Sequence, residues 1–143
     1  MFHVKLFLMK LEPTQKQIVG TLGEDIASKY LKNKGFEIVT RNYRKKFGEI
    51  DIVAKREAKI HFVEVKTVSR ENLKDILPEA QDNFRPEDNV HPWKLKRLSR
   101  AIQVYLSENK IGEESDWQFD VVTVLLDVKN KIAKVKLLED IIL

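Results

Sequence analysis

Two short runs carry side chains that could do chemistry together. Phe47-Gly48-Glu49-Ile50-Asp51 ends in a carboxylate, and Phe62-Val63-Glu64-Val65-Lys66 holds a carboxylate and an ammonium two residues apart. Paired carboxylates can hold one or two Mg²⁺ ions, hard cations that take oxygen ligands and keep part of their water. Such an ion acidifies a bound water and neutralises a phosphate. A lysine beside it stabilises charge developing on phosphorus. The chemistry open to Asp51, Glu64 and Lys66 is therefore metal-assisted phosphodiester hydrolysis. The same residues could instead form structural ion pairs, Glu64 with Lys66 or Asp51 with Arg44.

Strands must position this set. Residues 49–55 and 60–67 are rich in branched residues and separated by four others, which predicts an antiparallel hairpin. Strict alternation puts Glu49, Asp51 and Val53 on one face and Ile50, Ile52 and Ala54 on the other. It sets Ile60, Phe62, Glu64 and Lys66 against His61, Val63 and Val65. Both faces are largely apolar, so these are central strands. An acid there is costly unless it is paired or binds a metal.

A helix precedes the hairpin. Thr14 is its expected N-cap and Gly35 its C′ residue. Apolar residues recur at Ile18, Leu22, Ile26 and Tyr30, and at Val19, Ala27 and Leu31. Gly20, Gly23 and Ala27 share a face that would let the helix approach a sheet closely. Glu24 borders that face. It either turns inward toward the acidic pair or stays in solvent.

The remaining chain supplies a strand over 36–43, a basic turn over 44–48, a long loop over 68–91 and a helix from Pro92 to Asn109. Leu95, Leu98, Ile102, Tyr105 and Leu106 form the stripe of that helix. Its first turns carry Lys94, Lys96, Arg97 and Arg100, which oppose the helix dipole by a few tenths to about 1 kcal/mol each. A bound phosphate would reverse that penalty, or Glu87 and Asp88 would neutralise it. Strands follow over 117–126 and 132–138. The order α-β-β-β-α-β-β predicts an α/β domain with a mixed sheet of about five strands flanked by helices. Residues 14–143 form one domain, with residues 1–13 an arm or an added strand.

The chain has 143 residues, a formal charge of +4 and a pI near 9.2, a mild bias toward polyanionic partners. It has no cysteine, which excludes disulfides and thiolate metal sites and suits a cytoplasmic location. No apolar run approaches the roughly 18 residues of a membrane span, so no membrane partner is expected. His61 and His91 stand alone, with no ligand spacing between them. Trp93 could stack on a base or pack at the helix start. Asp120, amid apolar strand residues, needs a partner, for which Arg41 and Lys94 are candidates.

The sequence resembles the YraN family of bacterial predicted endonucleases, within the PD-(D/E)XK restriction-endonuclease-like superfamily. The residues that carry the resemblance are Gly20, Gly23-Glu24, Ala27, Tyr30-Leu31 and Gly35; Arg41-Asn42 and Arg44; Gly48-Glu49-Ile50-Asp51 and Ala54; and Phe62-Val63-Glu64-Val65-Lys66-Thr67. Pro86, Val90, Pro92, Lys94 and Phe119-Asp120-Val121-Val122 follow, so that it covers roughly residues 18–125. It implies a restriction-endonuclease-like sheet and a catalytic triplet of Asp51, Glu64 and Lys66. Glu24 joins Asp51 and Glu64 in holding Mg²⁺ or Mn²⁺. The implied substrate is DNA rather than RNA, structured or damaged, with Arg41, Arg44, Lys94, Lys96 and Arg97 as candidate contacts. Val68 and Gln118 stand where the family carries arginines, and the 69–85 loop is longer than usual. Two alternatives fit the same residues. One is a Holliday-junction-resolvase-like homodimer. The other is a nucleic-acid-binding module that has lost catalysis.

Overall fold

The computed structural model describes residues 14–69 and 92–143, with the side chains of residues 92 and 93 excepted. The expected N-terminal arm, nearly all of the 68–91 loop and the Trp93 side chain lie outside the described residues. Helix α1 (Gln15–Asn33) is followed by β1 (Glu37–Lys45), β2 (Gly48–Arg56) and β3 (Lys59–Ser69). Helix α2 (Pro92–Glu108), β4 (Trp117–Asp127) and β5 (Ile132–Leu138) complete the chain. The strands form one mixed sheet in the order β1-β2-β3-β4-β5. All neighbours are antiparallel except β3 and β4, which are parallel and joined through α2. This is the expected element order and fold class, and it is consistent with a restriction-endonuclease-like fold. No helix among the described residues is long and apolar enough to cross a membrane.

The start of α1 follows its sequence signals. Thr14 accepts from the Gln17 backbone N–H, and the Gln17 side chain accepts from the Thr14 N–H, a reciprocal capping box. At the other end Gly35 adopts φ +93° and the Phe36 N–H returns to the Leu31 carbonyl.

Each helix covers one face of the sheet. Under α1 lie Ile52, Ala54, Val63, Val122, Val124 and Leu126, packed on Ala27, Leu31 and Phe36. Under α2 lie Ile50, Val53, Phe62, Phe119 and Val121, packed on Leu98, Ala101, Ile102 and Tyr105. Strands β2, β3 and β4 are thus covered on both sides, as their two apolar faces predict. The stripe of α2 is as expected. That of α1 is rotated: Ile18 and Leu22 are 47% and 42% exposed, while Gly23, Ala27, Ser28 and Leu31 are buried.

Glycine explains the rotation. A Cβ on Gly23 would overlap the Thr67 side chain, so the α1 backbone passes directly over β3 there. Gly20 has no neighbour within 4 Å of a built Cβ, so it is not part of the close approach expected of it. On the other face Gly48 lies against the Arg97 carbonyl and Ala101, bringing β2 onto α2 with no room for a side chain.

Strand β2 also departs from strict alternation. Ile50 belongs to the α2-side core and Ile52 to the α1-side core, so the phase slips at Asp51. Asp51 and Val53 therefore do not share the simple face that alternation assigns them.

These contacts predict opposite outcomes for two glycines on one helix. Gly23→Ala should destabilise the protein by about 1–3 kcal/mol through overpacking, with partial recovery when Thr67→Ala is added. Gly20→Ala should leave stability unchanged or raise it by up to about 1 kcal/mol through helix propensity. Urea unfolding of the three variants measures both.

Candidate active site

The ladder between β2 and β3 runs from Arg56↔Lys59 to Ile52↔Val63 and stops there. The next position would set Asp51 opposite Glu64. Instead the Val65 N–H, which would otherwise face β2 backbone, donates to Asp51 Oδ2 at 2.8 Å. Strand β2 remains paired with β1 as far as Lys45↔Gly48. The β1–β2 hairpin thus parts from β3 at Asp51, and a length of the β3 edge has no strand partner among the described residues.

An open cleft of about 640 Å³ lies at this split. Asp51, Glu64, Lys66 and Glu24 all line it, so the structure brings the four expected residues together. Glu49 joins them from β2, Thr67 and Ser69 from β3, and Lys94 from the first turn of α2. Gln15, Lys16, Val19 and Gly20 close the α1 side. Gly20 thus leaves open the space that the expected close approach would have filled.

The two strand acids are half-buried and joined by a carboxyl–carboxylate hydrogen bond. Burial and then the Asp51 charge push Glu64 up to about 8. Burial also raises Asp51, although the Val65 N–H and the Glu64 hydrogen bond act against it. The two carboxyls therefore compete for one proton. Lys66 is lowered from its ordinary value by burial and then by the nearby Lys94 charge, with Glu64 opposing. The structural ion pairs considered above do not form. Arg44 pairs with Glu49 at 3.6 Å rather than with Asp51, and no ion pair joins Glu64 to Lys66.

Glu24 is turned inward, and burial followed by the Asp51 charge raises its pKa. Arg41 sits behind it at 3.9 Å and binds Asp25 more closely at 2.8 Å. Arg41 thus holds the acids of α1 against β1. It also lines, with Asn42, Arg44, Thr21 and Glu24, a second cleft of about 480 Å³. Arg44 is exposed there, whereas Lys96 and Arg97 line neither cleft. The contribution of Lys16 was missed from sequence, although Lys16, Gly20 and Glu24 recur every four residues on one helical face.

Asp120 lies elsewhere, and its partners differ from those expected. It is fully buried, and its Oδ2 lies 2.6 Å from His61 Nδ1. Its Oδ1 accepts from Gln118 Nε2 at 2.7 Å and from the Asp140 N–H at 2.9 Å. Neither Arg41 nor Lys94 reaches it, and His61 is not isolated. Gln118 is buried beside Asp120 rather than placed for substrate. Glu139 brings a third potential ligand atom within 4.8 Å of His61 and Asp120. Each member already has a partner, since Glu139 binds Arg56 at 2.9 Å. The cluster ties the C-terminal segment to β4.

A model of the uncharacterised protein family UPF0102 matches residues 23–124. The chain belongs to the UPF0102 family. A UPF0102 protein of Campylobacter jejuni subsp. doylei is 38% identical over 109 residues, covering 76% of this chain and 85% of that one. One from Campylobacter lari is 37% identical over 124 residues, covering 87% and 93%. One from Caldicellulosiruptor bescii is 38% identical over 122 residues, covering 85% and 94%. The part of this UPF0102 member matched by the family model includes Glu24, Asp51, Glu64 and Lys66.

The Glu64 shift has a consequence for stability. The folded chain holds the Glu64 proton up to about 8, whereas the ordinary value is 4.5. Between these values the folded state binds more protons, so stability falls as pH rises. With metal removed by EDTA, Glu64→Gln should gain stability over wild type between pH 5 and pH 8.5, on the order of 1 kcal/mol per pH unit. Urea unfolding at the two pH values measures it; an equal difference at both would show that Glu64 ionises normally.

Proposed function

We propose that the chain is a divalent-metal-dependent nuclease of the PD-(D/E)XK type that hydrolyses phosphodiester bonds in DNA. One observation carries this reading. Asp51 and Glu64 meet at the open edge of a central strand, with Lys66 on the same strand and Glu24 arriving from a helix. Acids that share a proton because they are crowded and desolvated are primed to exchange that proton for a cation.

The donor set fits a hard ion: Glu24, Glu49, Asp51 and Glu64 bring four carboxylates to one cleft, with no thiolate or imidazole among its described lining residues. Asp51, Glu64 and Glu24 would hold Mg²⁺ or Mn²⁺, which supplies charge neutralisation at the phosphate and an acidified water. The protein's own groups do the rest. The Val65 N–H fixes the orientation of Asp51. Lys66 and Lys94 bring two cations to the cleft for a bound phosphate. Arg41 restrains Glu24 from behind.

The test is cleavage of branched, flapped and single-stranded DNAs with Mg²⁺ or Mn²⁺. Asp51→Ala and Glu64→Ala should each reduce activity to background, and Lys66→Ala should lower it by about 10²–10³-fold. Mn²⁺ should raise the unfolding temperature of the wild type and not of Asp51→Ala. Activity surviving in both acid variants would sink the assignment. DNA binding that ignores both EDTA and Lys66→Ala, without cleavage, would favour the binding-module reading.

A further inference from the structure

A second surface feature lies on the hairpin that carries Asp51. The β1–β2 hairpin turns at Lys46 and Phe47, and Phe47 is 53% exposed. This exposure does not belong to a loose loop tip. The next residue, Gly48, is buried against the Arg97 carbonyl and Ala101, so the hairpin is clamped to α2.

Phe47 forms one wall of an open slot of about 410 Å³, and Ser99, Arg100, Gln103 and Val104 of α2 form the other. The slot is largely apolar, walled by the Phe47 ring and by Val104 and its neighbours on α2, with Ser99, Arg100 and Gln103 among the residues that line it. The hairpin and helix around it are basic. Arg44 and Lys45 have the acidic partners Glu49 and Glu108. Among the described residues Lys46, Arg97 and Arg100 enter no ion pair, and the Lys46 ammonium lies 6.0 Å from the Phe47 ring. An exposed aromatic ring among cations with no acidic partner among the described residues matches the chemistry of a single-stranded nucleic acid, whose bases stack while its phosphates seek positive charge.

We propose that this slot takes an unpaired nucleobase of the DNA substrate. The reading rests on the nuclease assignment above and narrows its substrate class. Phe47 precedes Asp51 by four residues, roughly 13 Å along a strand at about 3.3 Å per residue. A base seated on Phe47 therefore lies within a short reach of the phosphate at Asp51 and Glu64. In a fully paired duplex every base is stacked on its neighbours and none is free to enter the slot. DNA with an unpaired stretch beside the cleavage point is the preferred substrate, and Gln103, Ser99 and Arg100 meet the polar edge of the base or its phosphate.

The experiment compares a fluorescent single-stranded oligonucleotide with a duplex of the same length, both in EDTA so that catalysis is silent. Wild type should bind the single strand more tightly. Phe47→Ala should weaken single-strand binding about tenfold, the loss of one stacked base, and leave duplex binding unchanged. Phe47→Trp should retain it. Phe47 is exposed, so Phe47→Ala should keep the wild-type unfolding temperature, which confirms that the variant is folded. Phe47→Ala that binds single strands like wild type would overturn the slot and leave the nuclease assignment standing on the Asp51 and Glu64 assays. A wild type that binds neither DNA would also overturn the slot, and the nuclease assignment would still be decided by the cleavage assays with Mg²⁺ or Mn²⁺.

Discussion

The hydrogen bond from the Val65 N–H to Asp51 Oδ2 is the contact on which the site depends. In an unbroken antiparallel ladder that N–H would meet a backbone carbonyl of β2. Here a side chain meets it, and β2 no longer follows β3 beyond Ile52. One substitution of partner has three effects. It satisfies a donor that would otherwise be orphaned at a half-buried edge. It fixes the Asp51 carboxylate beside Glu64. It also frees the β1–β2 hairpin to swing away, which opens the cleft. The phase slip between Ile50 and Ile52 is the same event seen in the core, since residues two apart point into opposite hydrophobic clusters.

The electrostatics of the cleft are unfavourable in both signs. After burial, the Asp51 charge raises the proton affinity of Glu64 and Glu24, and the Lys94 charge lowers that of Lys66. A site tuned only for stability would interleave these charges into pairs, as the surface does with Arg41 and Asp25, Arg56 and Glu139, and Arg44 and Glu49. Instead the acids cluster together, and Lys66 makes no ion pair among the described residues. This segregation leaves a place for a cation on one side and an anion on the other. A metal ion and a phosphate supply that combination, and the fold bears the cost through two cores that enclose the sheet.

Much of the frame was legible in the sequence because it rests on short-range rules. Thr14 announced the start of α1, Gly35 its end, and apolar residues on both faces marked β2 and β3 as central. The four residues of the site were legible by type and spacing. Their geometry was not, because alternation is a rule about unbroken ladders and the ladder breaks at Asp51. The orientation of α1 was legible in part: Gly23 and Ala27 face the sheet as expected, whereas Ile18 and Leu22 of the expected stripe are exposed and Gly20 lines the cleft. Counting apolar residues favours Ile18 and Leu22, yet the sheet accepts the face with the least bulk, where Gly23 passes over Thr67.

The pairing of Asp120 shows what sequence distance conceals. Its nearest partner, His61, lies 59 positions away and becomes a neighbour only because β3 and β4 run parallel, with Val63 in register with Asp120. No local pattern encodes that register. Once it is set, a buried acid must find donors, and His61, Gln118 and the Asp140 backbone supply them. The two acidic groups on this sheet can then be told apart by one criterion. At Asp120 each oxygen has a protein donor and the cluster is closed. At Asp51 and Glu64 two acids meet each other across a cleft, with a proton between them where a cation could sit. Burial alone does not distinguish a structural acid from a functional one; the identity of the group that neutralises it does.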